Sequence, residues 1–378
     1  MTRQRAYLDW NATAPLRPEA RAAMLSAMDE VGNPSSVHAE GRKAKAIIER
    51  ARAQVANLVG CDAGEVVFAS GATEAATLAI HSEYDVVFLS EAEHDCVYQR
   101  AEGTGHSVYV YPRDGGRHET SEFSYRNDEF DVSEGLFAVA AANGETGICE
   151  DHQRIGRMAH EAGAEFLCDI VQLAGKAPIS FSQSEMDCAI VSSHKIGGAK
   201  GAGALISRLG RDVFGGLAGG GQEQGRRSGT ENVIGIAAFG AAAEAAKRDL
   251  EAGVWEGVEA LRNILESALE RAAPDLIIMG KASPRLPNTS CFAVPGWRGE
   301  TQVMQMDLAG FAISAGSACS SGKVNKASRV LMAMGFNETT ASSAVRVSLG
   351  PTTTEAEVLA FAEAWTGAYR RWKNKRAA

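Results

Sequence analysis

The sequence predicts an α/β protein, with a large domain built on a mostly parallel central sheet flanked by helices and a smaller α+β domain toward the C-terminus. Short apolar runs alternate with helical patterns over roughly the first two thirds of the chain, and the pattern changes character near Trp255. The length points the same way: 378 residues exceed the ~250–300 at which a single core stops growing.

The strands come first. Glu65–Ala69, Asp85–Leu89, His106–Tyr111, Leu136–Ala140, Ala164–Cys168 and Cys188–Val191 are short and apolar, as strands covered on both faces must be. Helical spacing between them predicts helices over Ala39–Val59, Thr73–His81 and Gln153–Ala162. The longest apolar passage, Val233–Ala243, is followed by Glu244 and Lys247 and reads as a buried helix rather than a membrane span. Beyond it come an amphipathic helix at Val258–Ala273, short strands near Asn288–Val294 and Ala312–Ser314, and a charged helix at Glu355–Lys375. The expected boundaries are residues 14–255 for the large domain, with 1–13 and 256–378 forming the small one.

Composition excludes several classes of function. Hydrophobic residues make up 45% and charged residues 22%, the balance of a soluble globular enzyme with little disorder. With 38 Lys and Arg against 47 Asp and Glu the net charge is -9, which argues against a nucleic-acid partner. The start, MTRQRAYLDW, has no apolar signal segment, and no later run reaches the ~18 apolar residues of a span, so a cytoplasmic protein without a membrane partner is expected. Seven cysteines, an odd number without CxxC spacing, imply reduced thiols. Neither His94-Asp95-Cys96 nor Cys149 with His152 has a second pair at suitable spacing, so no metal is expected.

In open parallel sheets, ligands bind beyond the carboxyl ends of the strands. Polar groups gather there: Ser70, Gly71, Ala72, Thr73 and Glu74 after the first strand, His94 after the second, Asn143, Gly144 and Glu145 after the fourth. Asp169 and Gln172 follow the fifth, and Ser192, His194 and Lys195 the sixth. The Gly-Ala-Thr turn opening a helix is either an anion cradle or a plain helix start. Asp169 at the end of an apolar strand is costly without a partner, which is a protonated ring nitrogen, a salt-bridge cation or the backbone amides of an N-cap. Lys195 reads as a Schiff-base amine or an anion-binding lysine. Cys319 lies in Ser314-Ala-Gly-Ser-Ala-Cys-Ser-Ser-Gly322, a run of small residues with little to bury, which makes it the candidate reactive thiol.

Taken with Tyr7-Leu-Asp-Trp-Asn-Ala-Thr-Ala-Pro15, Gly32-Asn-Pro-Ser-Ser36, Arg227-Ser-Gly-Thr230, Ser317-Ala-Cys319 and Val345-Arg346, these residues resemble the NifS/IscS-like cysteine desulfurases of the class V aminotransferases. The likeness runs nearly end to end. It implies fold type I of the pyridoxal 5'-phosphate (PLP) enzymes, with Lys195 carrying PLP, Asp169 at its ring nitrogen, Gln172 at its ring hydroxyl and His94 stacked on its face. It further implies that Ala72, Thr73, Ser192 and His194 hold the phosphate, with Thr230 reaching in from the other subunit of a homodimer. Arg346, with Asn11 and Asn143, would bind the substrate. Lys195 and Cys319 are the catalytic pair, with His94: the Cys319 thiolate would take sulfur from L-cysteine, leaving alanine and a persulfide for a sulfur-acceptor protein such as an iron-sulfur scaffold.

Gly144 departs from the family, which usually has an asparagine there; the loss of that side chain removes a hydrogen bond worth about 1 kcal/mol. Two alternatives follow. One is a related PLP lyase or transaminase, for instance one that prefers selenocysteine; the other is a non-catalytic platform that only docks sulfur-trafficking proteins.

Overall fold

The computed structural model describes residues 5–80, 84–103, 107–110, 113–114, 117–118, 135–211, 219–316 and 327–377. Along the chain the first elements are β1 (Ala6–Tyr7), α1 (Pro18–Met28), α2 (Ala39–Val59), β2 (Val66–Ala69), α3 (Ala72–Ala79), β3 (Val86–Leu89), α4 (Asp95–Gly103) and β4 (Ser107–Val110). A short pair, β5 (Arg113–Asp114) and β6 (Arg117–His118), precedes β7 (Gly135–Ala140), α5 (His152–Glu161), β8 (Glu165–Asp169), β9 (Cys188–Ser192), β10 (Gly203–Ser207) and α6 (Val233–Glu251). Next come α7 (Val254–Ala272), β11 (Ile277–Ile278), β12 (Thr289–Ala293), α8 (Gly299–Leu308), β13 (Phe311–Ala312) and β14 (Ser314–Ala315). The chain closes with α9 (Arg329–Ala333), α10 (Glu338–Ala341), β15 (Ala344–Ser348) and α11 (Glu355–Ala377).

The central sheet has seven strands in the order β2-β10-β9-β8-β7-β3-β4. From β9 to β4 every neighbour is parallel, while β10 runs antiparallel to both β9 and β2. The mostly parallel sheet and its six expected strands are therefore present. The antiparallel β10 was not expected: its Gly203-Ala-Leu-Ile-Ser207 run is short and sits directly behind a glycine-rich turn, which weakens the strand pattern.

Alternation along each strand assigns its side chains to two cores. On one face Phe68, Phe88, Phe137, Phe166, Val191 and Ile206 pack with α1, α2, α5 and α6. On the other face Val67, Val87, Leu136, Leu167, Ile190 and Leu205 pack with α3 and α4. The rings of Phe88 and Phe137 stack at 4.5 Å, and Phe68 meets Phe239 of α6 edge-on at 6.1 Å. Each fully buried ring of this kind contributes about 2–3 kcal/mol of transfer free energy. The helix expected at Val233–Ala243 runs on through Glu251 and ends before Gly253, whose φ of +68° breaks the chain direction ahead of α7.

A four-stranded sheet, β11-β12-β15-β14, carries a third core in which Phe292, Trp297, Val345 and Val347 pack against α7 and α11. Trp365 and Tyr369 of α11 stack at 5.6 Å, and the Trp365 Nε1 donates to Gln302 Oε1 at 2.9 Å. The N-terminal segment joins this part of the molecule: β1 pairs in parallel with β13, and Asp9 bridges to Ser348. Residues 9–15 then cross to the edge of the central sheet, where Ala14 N donates to the His194 carbonyl at 2.9 Å. Among the described residues no helix is long and apolar enough to cross a membrane.

Candidate active site

Strand ends, the crossing segment and the smaller sheet enclose a cavity of about 690 Å³. Of the residues singled out by sequence, Asn11, Ala72, Thr73, His94, Asn143, Asp169, Gln172, Ser192, His194, Lys195 and Arg346 all line it. Thr230 does not; it is exposed on the surface of the same chain. Cys319 lies outside the described residues, but both flanks of its segment reach the cavity wall, with Ser314 on one side and Arg329 and Val330 on the other.

Lys195 sits in the turn Ser193–Lys195 that ends β9. The adjacent Ile196 is buried in the core, and the backbone then turns at Gly197 with φ +86°, a conformation that favours glycine. The Lys195 Nζ donates to the carbonyl oxygens of Asn11 at 2.6 Å and Ala12 at 3.0 Å. Beside it, His194 Nδ1 lies 3.1 Å from Thr13 Oγ1. Burial first, then the cations of Lys195 and Lys200, push the His194 imidazole down to about 4, so it is neutral at ordinary pH.

Asp169 ends β8 with its carboxylate buried. Oδ1 accepts from Val171 N at 2.9 Å, and among the described residues no cation lies within ion-pair distance of it. Burial raises its pKa; the Val171 N–H and the more distant His94 and Lys195 oppose the rise. The group is a buried acid aimed at a cavity and short of a cationic partner.

At the mouth of α3 the residue preceding the helix is Gly71, which offers no side-chain cap. A Cβ built on Gly71 meets no heavy atom within 4 Å, so the first amides of the helix open on free space. Gly203 makes this possible, because a Cβ there would come within 2.6 Å of the Gly71 Cα. Glu74 does not cap the amides of this first turn: it accepts from Ser70 N at 2.7 Å and from Arg227 Nε at 2.8 Å. Burial works against its ionisation, yet these donors hold its carboxyl below the usual range.

On the facing wall, Arg346 of β15 donates from Nη1 to the Gly144 carbonyl at 2.9 Å and from Nη2 to Asp9 Oδ1 at 2.8 Å. Asp9 Oδ2 in turn accepts from Ser314 Oγ at 2.8 Å, joining the arginine to the strand that leads into the Cys319 segment. Asn143 faces inward differently: its Oδ1 accepts from the backbone of Glu145 and Thr146, and its Nδ2 donates to the Ala92 carbonyl. His94 Nδ1 accepts from Cys96 N at 3.1 Å and lies 3.0 Å from Cys96 Sγ. Among the described residues no group of three or more His, Cys, Asp or Glu could hold a metal.

Sequence reasoning missed Asp9, Lys176, Ser314 and Arg329. Arg329 is tied to Asp95 at 2.6 Å and to the Glu93 carbonyl at 2.7 Å, with its guanidinium over the Tyr98 ring at 4.6 Å. Asp9, Ser314 and Arg329 act through partners distant in sequence, and Lys176 through Gln172 one turn away together with the distant Asn11, so no local pattern announces them.

The sheet order, with its half-buried lysine turn, strand-end acid and open helix mouth on one cavity, defines fold type I of the PLP enzymes. The chain belongs to the aminotransferase class-V family, which matches residues 6–361. It is 39% identical to a cysteine desulfurase of Cereibacter sphaeroides over 94% of this chain and 93% of that one. Among solved structures it resembles a NifS-like protein from Rickettsia africae, with a TM-score of 0.89 and 32% identity over 97% of this chain and 100% of the other. SspA in complex with cysteine aligns at a TM-score of 0.77 and 27% identity, covering 92% of this chain and 100% of that one.

Proposed function

We propose that this chain is a PLP-dependent cysteine desulfurase that converts L-cysteine to L-alanine and carries the sulfur as a persulfide on Cys319 for delivery to an acceptor protein. The single observation that supports it best is the buried Asp169 carboxylate facing a cavity that also holds the Lys195 amine. An acid short of a cation and an amine beside it fit a cofactor with a basic ring nitrogen and an aldehyde.

The fit extends to the rest of the cofactor. The uncapped amides at Ala72 and Thr73, with Ser192 and a neutral His194, suit a phosphate. Gln172 and His94 would meet the ring hydroxyl and the ring face. Bound there, PLP would supply an electron sink for the pair released at the substrate α-carbon.

The chain's own groups do the rest. The Lys195 Nζ takes the α-proton and returns it to the carbon skeleton. Arg346 offers its fork to the substrate carboxylate, held by Asp9 and the Gly144 carbonyl in an orientation suited to that task. Asn11 and Asn143 shape the wall beside it. The Cys319 thiolate attacks the substrate sulfur, so one S–S bond forms and one C–S bond breaks. The balance is a thiol plus L-cysteine giving a persulfide plus alanine.

The homodimer belongs to the same reading. Thr230 is exposed and away from its own chain's cavity, which suits a hydroxyl that serves a second copy; sedimentation at the mass of two chains checks this. Delivery to an iron-sulfur scaffold in the cytoplasm is part of the same proposal, and the family resemblance supports it.

Purified protein loaded with PLP and given L-cysteine with a reductant is expected to release alanine and sulfide in equal amounts. Cys319→Ser should abolish sulfide release while leaving the visible absorbance of the bound cofactor in place. Full activity in that variant would instead favour a lyase that does not use the thiol.

A further inference from the structure

Lys176 is a buried lysine with no acid within ion-pair distance among the described residues. It is 4% exposed, one turn of chain beyond Gln172. Its Nζ donates to Gln172 Oε1 at 2.7 Å and to Asn11 Oδ1 at 3.0 Å. Burial first, then the cations of Lys195 and Arg346, push its pKa well below the usual lysine range, and the Cys149 thiol opposes them. An apolar side chain would fill the same space at a lower desolvation cost.

Its contacts set the direction of a neighbouring amide. Gln172 Oε1 faces the Lys176 donor, while Gln172 Nε2 donates to the Asn11 carbonyl at 3.0 Å. Flipping the amide would set N–H against a lysine donor and oxygen against a carbonyl, a double mismatch. Asn11 is fixed in the same way, with Oδ1 accepting from Lys176 and from Asn288 Nδ2 at 3.0 Å, and Nδ2 donating to Thr289 Oγ1 at 2.8 Å. Gly144 sharpens the dependence: a Cβ there would lie 3.4 Å from Gln172 Nε2 and 3.5 Å from its Cγ, so a larger residue would pack against this amide.

We propose that Lys176 is a positioning residue for the cofactor, holding the Gln172 amide with its N–H₂ group toward the cavity so that it donates to the ring oxygen of bound PLP. This rests on the reading that Gln172 meets that oxygen. A hydrogen bond donated there would draw negative charge from the ring oxygen and weaken its hold on the proton shared with the Lys195-linked nitrogen, which favours loss of that proton. Removing Lys176 therefore raises the pH at which the visible band of the PLP-loaded protein titrates.

The test is a pH titration of that band, without substrate, in wild type, Lys176→Met, Lys176→Gln, Gln172→Leu and the Lys176→Met/Gln172→Leu double variant. Lys176→Met is expected to raise the midpoint by about one pH unit. Lys176→Gln, which keeps a donor at shorter reach, should recover part of the shift. On the Gln172→Leu background the same Lys176→Met change should add little, because the residue it acts through is gone. An unchanged midpoint in both single Lys176 variants, or a full shift that persists on the Gln172→Leu background, overturns the role given to Lys176. A wild type that takes up PLP without any visible band tells instead against the cofactor reading beneath it.

Discussion

Asp169 shows how much a single residue reveals about the ligand it serves. A buried carboxylate with one backbone donor and no described counter-ion is costly to the fold, and the cost is tolerated where a ligand supplies the missing cation. Asp169→Asn is therefore expected to stabilise the cofactor-free protein by about 1 kcal/mol while reducing alanine formation to a small fraction of wild type. Thermal melts of the stripped protein and an alanine assay check the two halves; a destabilised variant would mean that the acid has a partner of its own. Asp169 and Lys195 were legible from sequence because each ends an apolar strand, where an ion is conspicuous, whereas Arg346 was singled out only by the family resemblance. Lys176 was not, since in Gly175-Lys176-Ala177 nothing distinguishes a buried amine from a solvated one.

At the scale of elements, the parallel strands were legible because their double-sided burial leaves uninterrupted apolar runs. Their polar residues fall at one edge for a topological reason, as every strand from β9 to β4 points the same way. β10 escaped because its direction is reversed and its apolar core is three residues long. The segment after the glycine cluster was equally hidden. There Glu223 takes a left-handed φ of +48° and places a buried carboxylate on Arg52 of α2, with contacts of 2.7 and 2.9 Å, while also accepting from Phe68 N at 2.9 Å. This ties α2 and β2 to the strand-crossing loop that carries Arg227 and Thr230. Glu223→Gln should destabilise the protein by about 3 kcal/mol, because buried Arg52 is left with only the half-exposed Glu49, at 3.2 Å, as a counter-charge. Urea unfolding would measure it, and a loss below about 1 kcal/mol would show that the pair contributes little beyond what exposed pairs do.

For the whole molecule, what the sequence could not convey is how distant segments close one cavity. Residues 9–13 are bound to the smaller sheet through the Asp9–Ser348 bridge, directly after β1 pairs with β13, yet they supply the carbonyls that hold Lys195 and the Asp9 carboxylate that holds Arg346. One short segment thus sets the distance between the amine and the arginine, and Ser314 extends the link toward the Cys319 segment. The residue types of the site were visible in order along the chain; their convergence required the fold. The most direct test of the account is peptide mass spectrometry of the PLP-loaded protein after brief exposure to L-cysteine, without reductant. The account predicts the added mass of one sulfur atom on the peptide carrying Cys319, together with one alanine released per sulfur gained. Alanine produced with no sulfur on that peptide, or sulfur found only on another thiol, would contradict it.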